Sequence, residues 1–173
     1  MTGTGSKSYW KVLWERMSGD NKATLINVEE MDAQETEDID EVYVYKEIQE
    51  ELGIVAVRFG YMPEGMFLKS YELANDQKSA VLLYQYDGKI LKYTMYMNDA
   101  DSSFGQTKID GETGEYTVQI YDEIEVNVKE YQIDGVSEKR YVAEFEYMDT
   151  QYQIKGRMAK EKFNKILENL IFL

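Results

Sequence analysis

The chain has 173 residues, no cysteine, no histidine and a formal net charge of −14 at pH 7. The missing side chains exclude a thiol nucleophile, a thiolate or imidazole metal site and an imidazole base, and the acidic balance opposes binding to nucleic acid or to an anionic membrane surface. Since 43% of the residues are hydrophobic, the chain can bury the core of one domain. We therefore expect one domain with no cofactor, no metal site and no nucleic-acid partner.

The amino-terminal residues 1–8 include "TGTGSKS" and are predicted to be a flexible lead to a single domain over residues 9–173. Residues 9–17 alternate as on a strand and fit a helix face equally well. We favour a strand that forms a hairpin with the later segment "KATLINV". The sequence has neither a signal-peptide pattern nor an apolar run long enough to span a bilayer.

The first predicted helix follows an acidic connection. It is expected to begin near Asp38 or Asp40, because either carboxylate can cap the first turn. Gly53 is a natural end. The apolar side of the helix is formed by Val44 or Tyr45, by Ile48 and by Leu52.

The middle of the chain, up to residue 156, is predicted to form strands. A turn at Pro63 and Gly65 precedes them, and the dipeptides Asp87-Gly88 and Asp134-Gly135 indicate hairpin turns. The segment "KRYVAEFEYM" alternates between an apolar and an acidic face, which is typical of an antiparallel sheet with one face wet. Its apolar face carries Tyr141, Ala143, Phe145 and Tyr147.

The last predicted element is a helix whose apolar residues form one stripe of a 3.6-residue period. This stripe needs a surface to cover, and the inner face of the sheet supplies one. The predicted fold class is therefore α+β: a curved, mainly antiparallel sheet packed by an internal helix and a C-terminal helix. The stripe consists of Ala159, Phe163, Ile166, Leu167 and Leu170.

The end of the chain also resembles a known family. A strand "YVAEFEY", the segment "QYQIKG" with the pattern Y-x-I-x-G, and a helix closing "KILENLIF" are similar to the carboxyl-terminal signature of the domain-of-unknown-function family 4367, which is common in Gram-positive bacteria. "YMPEGMFLKSYEL" and "AVLLYQYDGKILKYTMY" resemble its first long strand and its central hairpin. The similarity covers roughly residues 40–173. The last helix departs from the family pattern, because "RMAKEK" lacks a good capping side chain.

The resemblance implies an extracytoplasmic domain, since relatives are often tethered by one amino-terminal transmembrane helix. An anchor upstream of the flexible lead would fit that arrangement. The resemblance also implies a curved sheet packed by helices, loosely similar to periplasmic lipoprotein carriers. It brings no catalytic residues with it.

Two groups of residues are candidate sites. The window 29–51 holds eleven acidic residues and one base, Lys46, and predicts a surface for a basic partner. Tyrosines on alternating strands can instead line a ligand cavity within the sheet, or form ordinary core pairs. The candidate partner-binding residues are Glu35, Glu37, Asp38, Asp40 and Glu41, and the candidate ligand-binding residues are Tyr84, Tyr86, Tyr93 and Tyr147.

Two weaker patterns favour their structural interpretation. Glu144 and Glu146 share a strand face, as the carboxylates of glycoside hydrolases can, but a solvated strand face explains them better. Asp99, Asp101 and Asp110 have part of the spacing of an EF-hand loop, but Phe104 occupies the position that needs glycine.

The sequence thus predicts a non-catalytic sensory or protein-interaction domain, extracytoplasmic and membrane-anchored in its native protein. Its partner would be a protein or a component of the cell envelope, and it would meet the membrane only through an anchor absent from this chain. The alternative is a carrier or sensor of a lipid or other apolar ligand in the concave sheet. A hydrolase that uses acidic residues is a distant third.

Overall fold

The computed structural model describes residues 39–97 and 111–172. The predicted lead, the amino-terminal hairpin and the loop 98–110 lie outside these ranges. No helix within the described ranges is long and apolar enough to cross a membrane. The helices are α1 (Glu41–Leu52) and α2 (Lys160–Glu168), and a short 3₁₀ helix spans Tyr121–Glu123. The strands are β1 (Arg58–Phe59), β2 (Phe67–Ala74), β3 (Ser79–Tyr86), β4 (Lys89–Met97), β5 (Glu112–Gln119), β6 (Glu125–Tyr131), β7 (Arg140–Tyr147), β8 (Thr150–Arg157) and β9 (Leu170–Ile171).

Helix α1 begins and ends as its sequence predicts. The Asp40 side chain accepts hydrogen bonds from the backbone N–H groups of Val42 and Tyr43, and Gly53 closes the helix in the left-handed conformation, with φ of 70°. A carboxylate at this position satisfies N–H groups that have no partner within the helix.

Seven strands form one antiparallel sheet in the order β2-β3-β4-β8-β7-β6-β5. The predicted α+β class with a large antiparallel sheet is therefore confirmed. The sheet is open, with β2 and β5 at its edges, and its curvature stays a prediction. Strand β8 pairs with β4, a strand more than fifty positions earlier in the chain, so the two halves of the sheet are joined by a non-local contact.

Tight turns fix the register of the central hairpins. Asp87 and Gly88 both have positive φ, 51° and 71°, as a two-residue hairpin turn requires. The β7–β8 turn uses Met148 and Asp149, with φ of 50° and 60°. Aspartate adopts this conformation readily and methionine does not, so this turn lacks the residue pair that usually marks a two-residue hairpin.

One face of the sheet forms the core, and both helices cover it. On the α1 side, the phenol of Tyr93 donates to the carbonyl of Val57 over 2.7 Å. On the α2 side, the rings of Tyr141 and Phe163 stack with centroids 5.3 Å apart. The strand face predicted from "KRYVAEFEYM" is confirmed, because Tyr141, Ala143 and Phe145 are buried in the core, and Tyr147 packs against it.

Three lysines of α2 lie over tyrosine rings at the margin of the core. The Nζ atoms of Lys160, Lys162 and Lys165 lie 4.4 Å, 5.4 Å and 4.5 Å from the ring centroids of Tyr116, Tyr86 and Tyr61. These contacts add to the apolar stripe in fixing the helix on the sheet. As the sequence predicts, no side chain caps this helix, whose N-cap residue is Ala159.

The carboxyl-terminal segment returns to the start of the domain. Leu170 and Ile171 form β9, which pairs with β1. Next to this pair, the Gly60 N–H donates to the Asn169 carbonyl over 2.8 Å, and a Cβ on Gly60 would lie 2.4 Å from that oxygen. The sequence did not predict these strands, since two residues are too few to show a period.

Candidate functional site

The candidate tyrosines have different surroundings. Tyr84 and Tyr93 are fully buried in the core. Burial, and then its neighbours Tyr45 and Glu41, raise the pKa of Tyr84 well above its ordinary value. Its hydroxyl donates to Glu41 Oε2 and shares a hydrogen bond with Tyr45, each 2.7 Å long. These two tyrosines therefore contribute to the core.

The other two lie at the edge of the core. Tyr86 accepts a hydrogen bond of 2.7 Å from Lys162 Nζ, and Tyr147 meets Phe172 edge to face with centroids 4.9 Å apart. The structure therefore spreads the four candidate tyrosines over the core and its margins.

The candidate acidic surface is described only in part. Asp40 is the α1 cap and Glu41 accepts from Tyr84, so both carboxylates have partners inside the domain. Glu35, Glu37 and Asp38 lie outside the described residues, as do Asp99, Asp101 and Asp110 with their partial EF-hand spacing. On the sheet, Glu144 Oε2 accepts from Gln153 Nε2 over 3.2 Å, which is the behaviour of an ordinary polar strand face.

A groove on the opposite face of the sheet, away from α1 and α2, gathers basic side chains. Its volume is about 420 Å³, and five of its eight lining residues are lysine or arginine, with no acidic residue among them. The groove is therefore positively charged, whereas the chain as a whole has a net charge of −14. The groove is lined by Gly88, Lys89, Ile90, Lys92, Arg140, Lys155, Gly156 and Arg157.

Strand register places these bases next to one another. Lys92 of β4 lies directly opposite Lys155 of β8, and Arg157 of β8 lies directly opposite Arg140 of β7. Lys155 and Arg157 are two positions apart on β8 and share one face. Like charges directly opposite each other destabilise a sheet, and this sheet has two such pairs side by side.

Only one of the five bases is neutralised by an ion pair within the described ranges. Lys89 pairs with Glu138 and, over 3.4 Å, with Asp87. The other four, Lys92, Arg140, Lys155 and Arg157, form no ion pair with any described residue. The Nε atom of Arg157 is also buried and has no hydrogen-bond partner among the described residues. We call these four residues the basic quartet.

The positive charges next to Lys155 affect its ionisation. Burial, and then the charges of Arg140 and Lys92, lower the pKa of its ammonium group below the ordinary value. No acidic residue contributes to this shift. A bound anion would reverse the unfavourable contribution of the neighbouring charges.

The side chains that line the groove suit an anionic ligand, and none of them is a carboxylate. Guanidinium groups present paired N–H donors that fit carboxylate and phosphate oxygens, and lysine adds a mobile point charge. Ile90, 42% exposed, adds an apolar contact at the edge of the groove. The structure contains no group of three or more carboxylates suited to a metal ion within the described ranges.

The sequence did not predict the basic quartet, because its members come from three strands. The β4–β8 pairing also joins segments that are far apart in the chain. One signal was available. Arg140 and Arg157 are equally distant from the Met148-Asp149 turn, so a two-residue turn there would have placed them opposite each other. Five bases lie close together in the chain between residues 155 and 165, and the structure divides them between the groove and α2.

The Y-x-I-x-G pattern that suggested the family is structural. Tyr152 and Ile154 are buried, and the Tyr152 hydroxyl donates to the Val55 carbonyl over 2.5 Å. A Cβ on Gly156 would lie 3.1 Å from the Leu91 side chain, so glycine leaves room for that residue. The pattern thus fixes β8 against the core while its other face presents Lys155 and Arg157.

Comparison with known proteins identifies a family and no further relative. Neither the curated proteins nor the solved structures contain a match to the chain. The profile of the family described as "Domain of unknown function (DUF4367)" matches residues 56–170. This range includes every residue that lines the groove, and it covers about two thirds of the chain. The chain therefore belongs to the DUF4367 family.

Proposed function

We propose that this chain is a non-catalytic sensory or interaction domain that binds an anionic partner through its basic groove. The observation that carries the proposal is the basic quartet: four cations share one groove without an internal counter-ion among the described residues, in a strongly acidic chain. The partner is a protein or a component of the cell envelope that presents carboxylate or phosphate groups.

The arrangement of the quartet favours a binding role over a structural one. Two opposed like-charge pairs reduce the stability of the sheet. Departures from local stabilising rules are expected at functional sites. An anionic partner turns the same charges into favourable contacts, so the unfavourable charge is relieved only in the complex.

A catalytic role is less well supported. A lysine with a lowered pKa can act as a nucleophile or a base, and Lys155 is such a lysine. However, the groove has no carboxylate in its lining to exchange protons with it, and the chain has no cysteine or histidine. The groove therefore offers charge complementarity without the second group that acid–base chemistry needs.

The location belongs to the same proposal: the domain lies outside the cytoplasmic membrane of a Gram-positive bacterium and is anchored there. The resemblance to the family supports this placement. Protease treatment of intact cells that express the native protein is the test. Digestion of the domain in intact cells is expected, and protection until lysis would contradict the placement.

The alternative function, a carrier of an apolar ligand, has no specific observation in its favour. Two of its four candidate residues, Tyr84 and Tyr93, fill the core and use their hydroxyl groups inside it.

Native mass spectrometry tests the groove. The wild-type domain and a variant with all four quartet residues changed to glutamine are each exposed to an envelope extract of the source organism. We expect an added mass on the wild type that the quadruple variant loses. A Lys129→Gln variant is the matched control, because Lys129 lies on the same sheet face opposite Glu115 and outside the groove lining. Equal adducts on the wild type and the quadruple variant, or none on either, would contradict the proposal.

A further inference from the structure

We infer that the groove is built for a compact ligand that carries two phosphate groups, one on the guanidinium pair and one on the ammonium pair. The guanidinium pair is Arg140 with Arg157, and the ammonium pair is Lys92 with Lys155. This inference rests on the proposed anion-binding function and specifies its ligand.

The spacing of the two pairs comes from the sheet itself. Lys155 and Arg157 are separated by one two-residue step along β8, which is about 7 Å. Each has its like-charged partner directly across the strand gap. The two pairs are therefore about 7 Å apart along the strands, measured at the backbone, and one anionic group is too small to contact both pairs fully.

The chemistry of the pairs favours phosphate over carboxylate. A phosphate ester presents three or fewer terminal oxygens in a tetrahedral arrangement, which two converging guanidinium groups can contact from both sides. A carboxylate is planar and is satisfied by one guanidinium fork. Two adjacent cation pairs also match the two negative charges that a phosphomonoester approaches near neutral pH better than they match one carboxylate.

The charge outside the groove favours a compact ligand over a long polyanion. The chain carries 33 acidic and 19 basic residues, so an extended anionic polymer would meet repulsion beyond the groove. A groove of about 420 Å³ holds a small bisphosphorylated molecule. The phosphate groups can come from lipid headgroups or from a small phosphorylated component of the cell envelope.

Isothermal titration calorimetry with a series of alkanediol bisphosphates tests the two-subsite geometry. The probes are the ethane-, propane-, butane- and hexanediol compounds, with inorganic phosphate as the single-group reference. We expect the propane- and butanediol compounds to bind at least about tenfold more tightly than inorganic phosphate, because the second contact is intramolecular. Affinity that is equal for one and two phosphate groups would overturn the inference.

Substitutions assign the subsites. Lys92→Gln should reduce bisphosphate affinity to about the level of inorganic phosphate while leaving the affinity for inorganic phosphate within about twofold, because the guanidinium pair remains. Arg140→Lys keeps the charge and removes the fork, so it should weaken both ligands by about tenfold. Lys129→Gln is the control and should change neither affinity. An Arg140→Lys variant that binds like the wild type would overturn the assignment of phosphate to the guanidinium pair.

Two further probes show whether the phosphate groups belong to lipids and whether the groove binds anions other than phosphate. Vesicles of phosphatidylglycerol in phosphatidylcholine that bind the wild type, but not Arg140→Lys, would identify lipid headgroups as the source. A hexaglutamate peptide that binds through the quartet while no phosphate probe does would overturn the phosphate inference and leave the anion-binding function standing. Failure of all anionic probes, together with an envelope extract that adds no mass, would overturn both.

Discussion

Replacing Lys155 with methionine should make the domain more stable and, at the same time, worse at binding anions. Lys155 has like charges on two sides, Lys92 across the β4–β8 pairing and Arg140 on β7, and its ammonium group is partly buried. Methionine keeps the length of the apolar stem and removes the charge. Most substitutions destabilise a protein, so a gain in stability from this change would be informative.

The magnitude follows from the like-charge contacts. An unfavourable cross-strand pair costs roughly 0.2–1 kcal/mol, and solvent screening keeps the effect of partly exposed charges near the lower end of that range. We therefore expect a gain of about 0.5 kcal/mol in the free energy of unfolding. For a domain of this size that gain raises the Tm by about 2 °C.

The stability difference between Lys155→Met and the wild type should depend on pH in a defined direction. The pKa of Lys155 is lowered in the folded chain, so the unfolded chain binds more protons between that pKa and the unfolded value of about 10.4. The contribution of Lys155 to wild-type stability therefore rises with pH across this window. The advantage of Lys155→Met is therefore largest near neutral pH and disappears above about pH 10.4.

Urea denaturation at several pH values measures these differences, with Lys129→Met as the matched control. Lys129 lies on the same face, with Glu115 and Val142 as its strand partners, so its removal relieves no like-charge pair. Calorimetric titration with butanediol bisphosphate gives the binding side of the comparison. A Lys155→Met domain that is less stable than the wild type at neutral pH would refute the argument that charge is crowded in the groove.

Three further predictions test the fold that supports the groove, each by urea denaturation. Gly156→Ala brings a Cβ within 3.1 Å of the Leu91 side chain and should cost about 1–3 kcal/mol; an unchanged midpoint would show that the core yields there. Asp40→Ala removes the α1 cap and should cost about 1 kcal/mol, whereas Asp40→Asn should cost less. Tyr152→Phe removes the hydrogen-bond donor to the partly buried Val55 carbonyl and should cost about 1 kcal/mol; a neutral effect would contradict that role.

Much of the fold was predictable from local patterns. The cap at Asp40, the end of α1 at Gly53 and the hairpin at Asp87-Gly88 each rest on a few adjacent residues with a defined conformational preference. The inward face of β7 follows from its period, as do the buried Phe163, Ile166 and Leu167 of α2. The predicted stripe was wrong at Ala159, which is exposed because it is the N-cap of the helix, and its last residue, Leu170, is buried in β9. The start of β5 at Glu112 has no such signal, because its first residues are polar and resemble a loop.

The groove was not predictable in the same way. Its composition depends on β4 pairing with β8, and no local pattern indicates which distant strands become neighbours. The two candidate sites predicted from the sequence were based on the acidic window and on the tyrosines instead. Asp40 caps α1, and Tyr84 and Tyr93 complete the core, so residues that were conspicuous in the sequence have structural roles.

Within the described residues, the basic groove and not the lysines of α2 is the proposed anion-binding surface. The most direct measurement is an NMR titration of the isotope-labelled domain with butanediol bisphosphate, followed through its backbone amides. We expect saturable chemical-shift changes at the backbone amides of the basic quartet. Little change is expected along α2, because its lysines already lie over tyrosine rings. Shifts concentrated on α2, or no saturable shift at the groove, would contradict it.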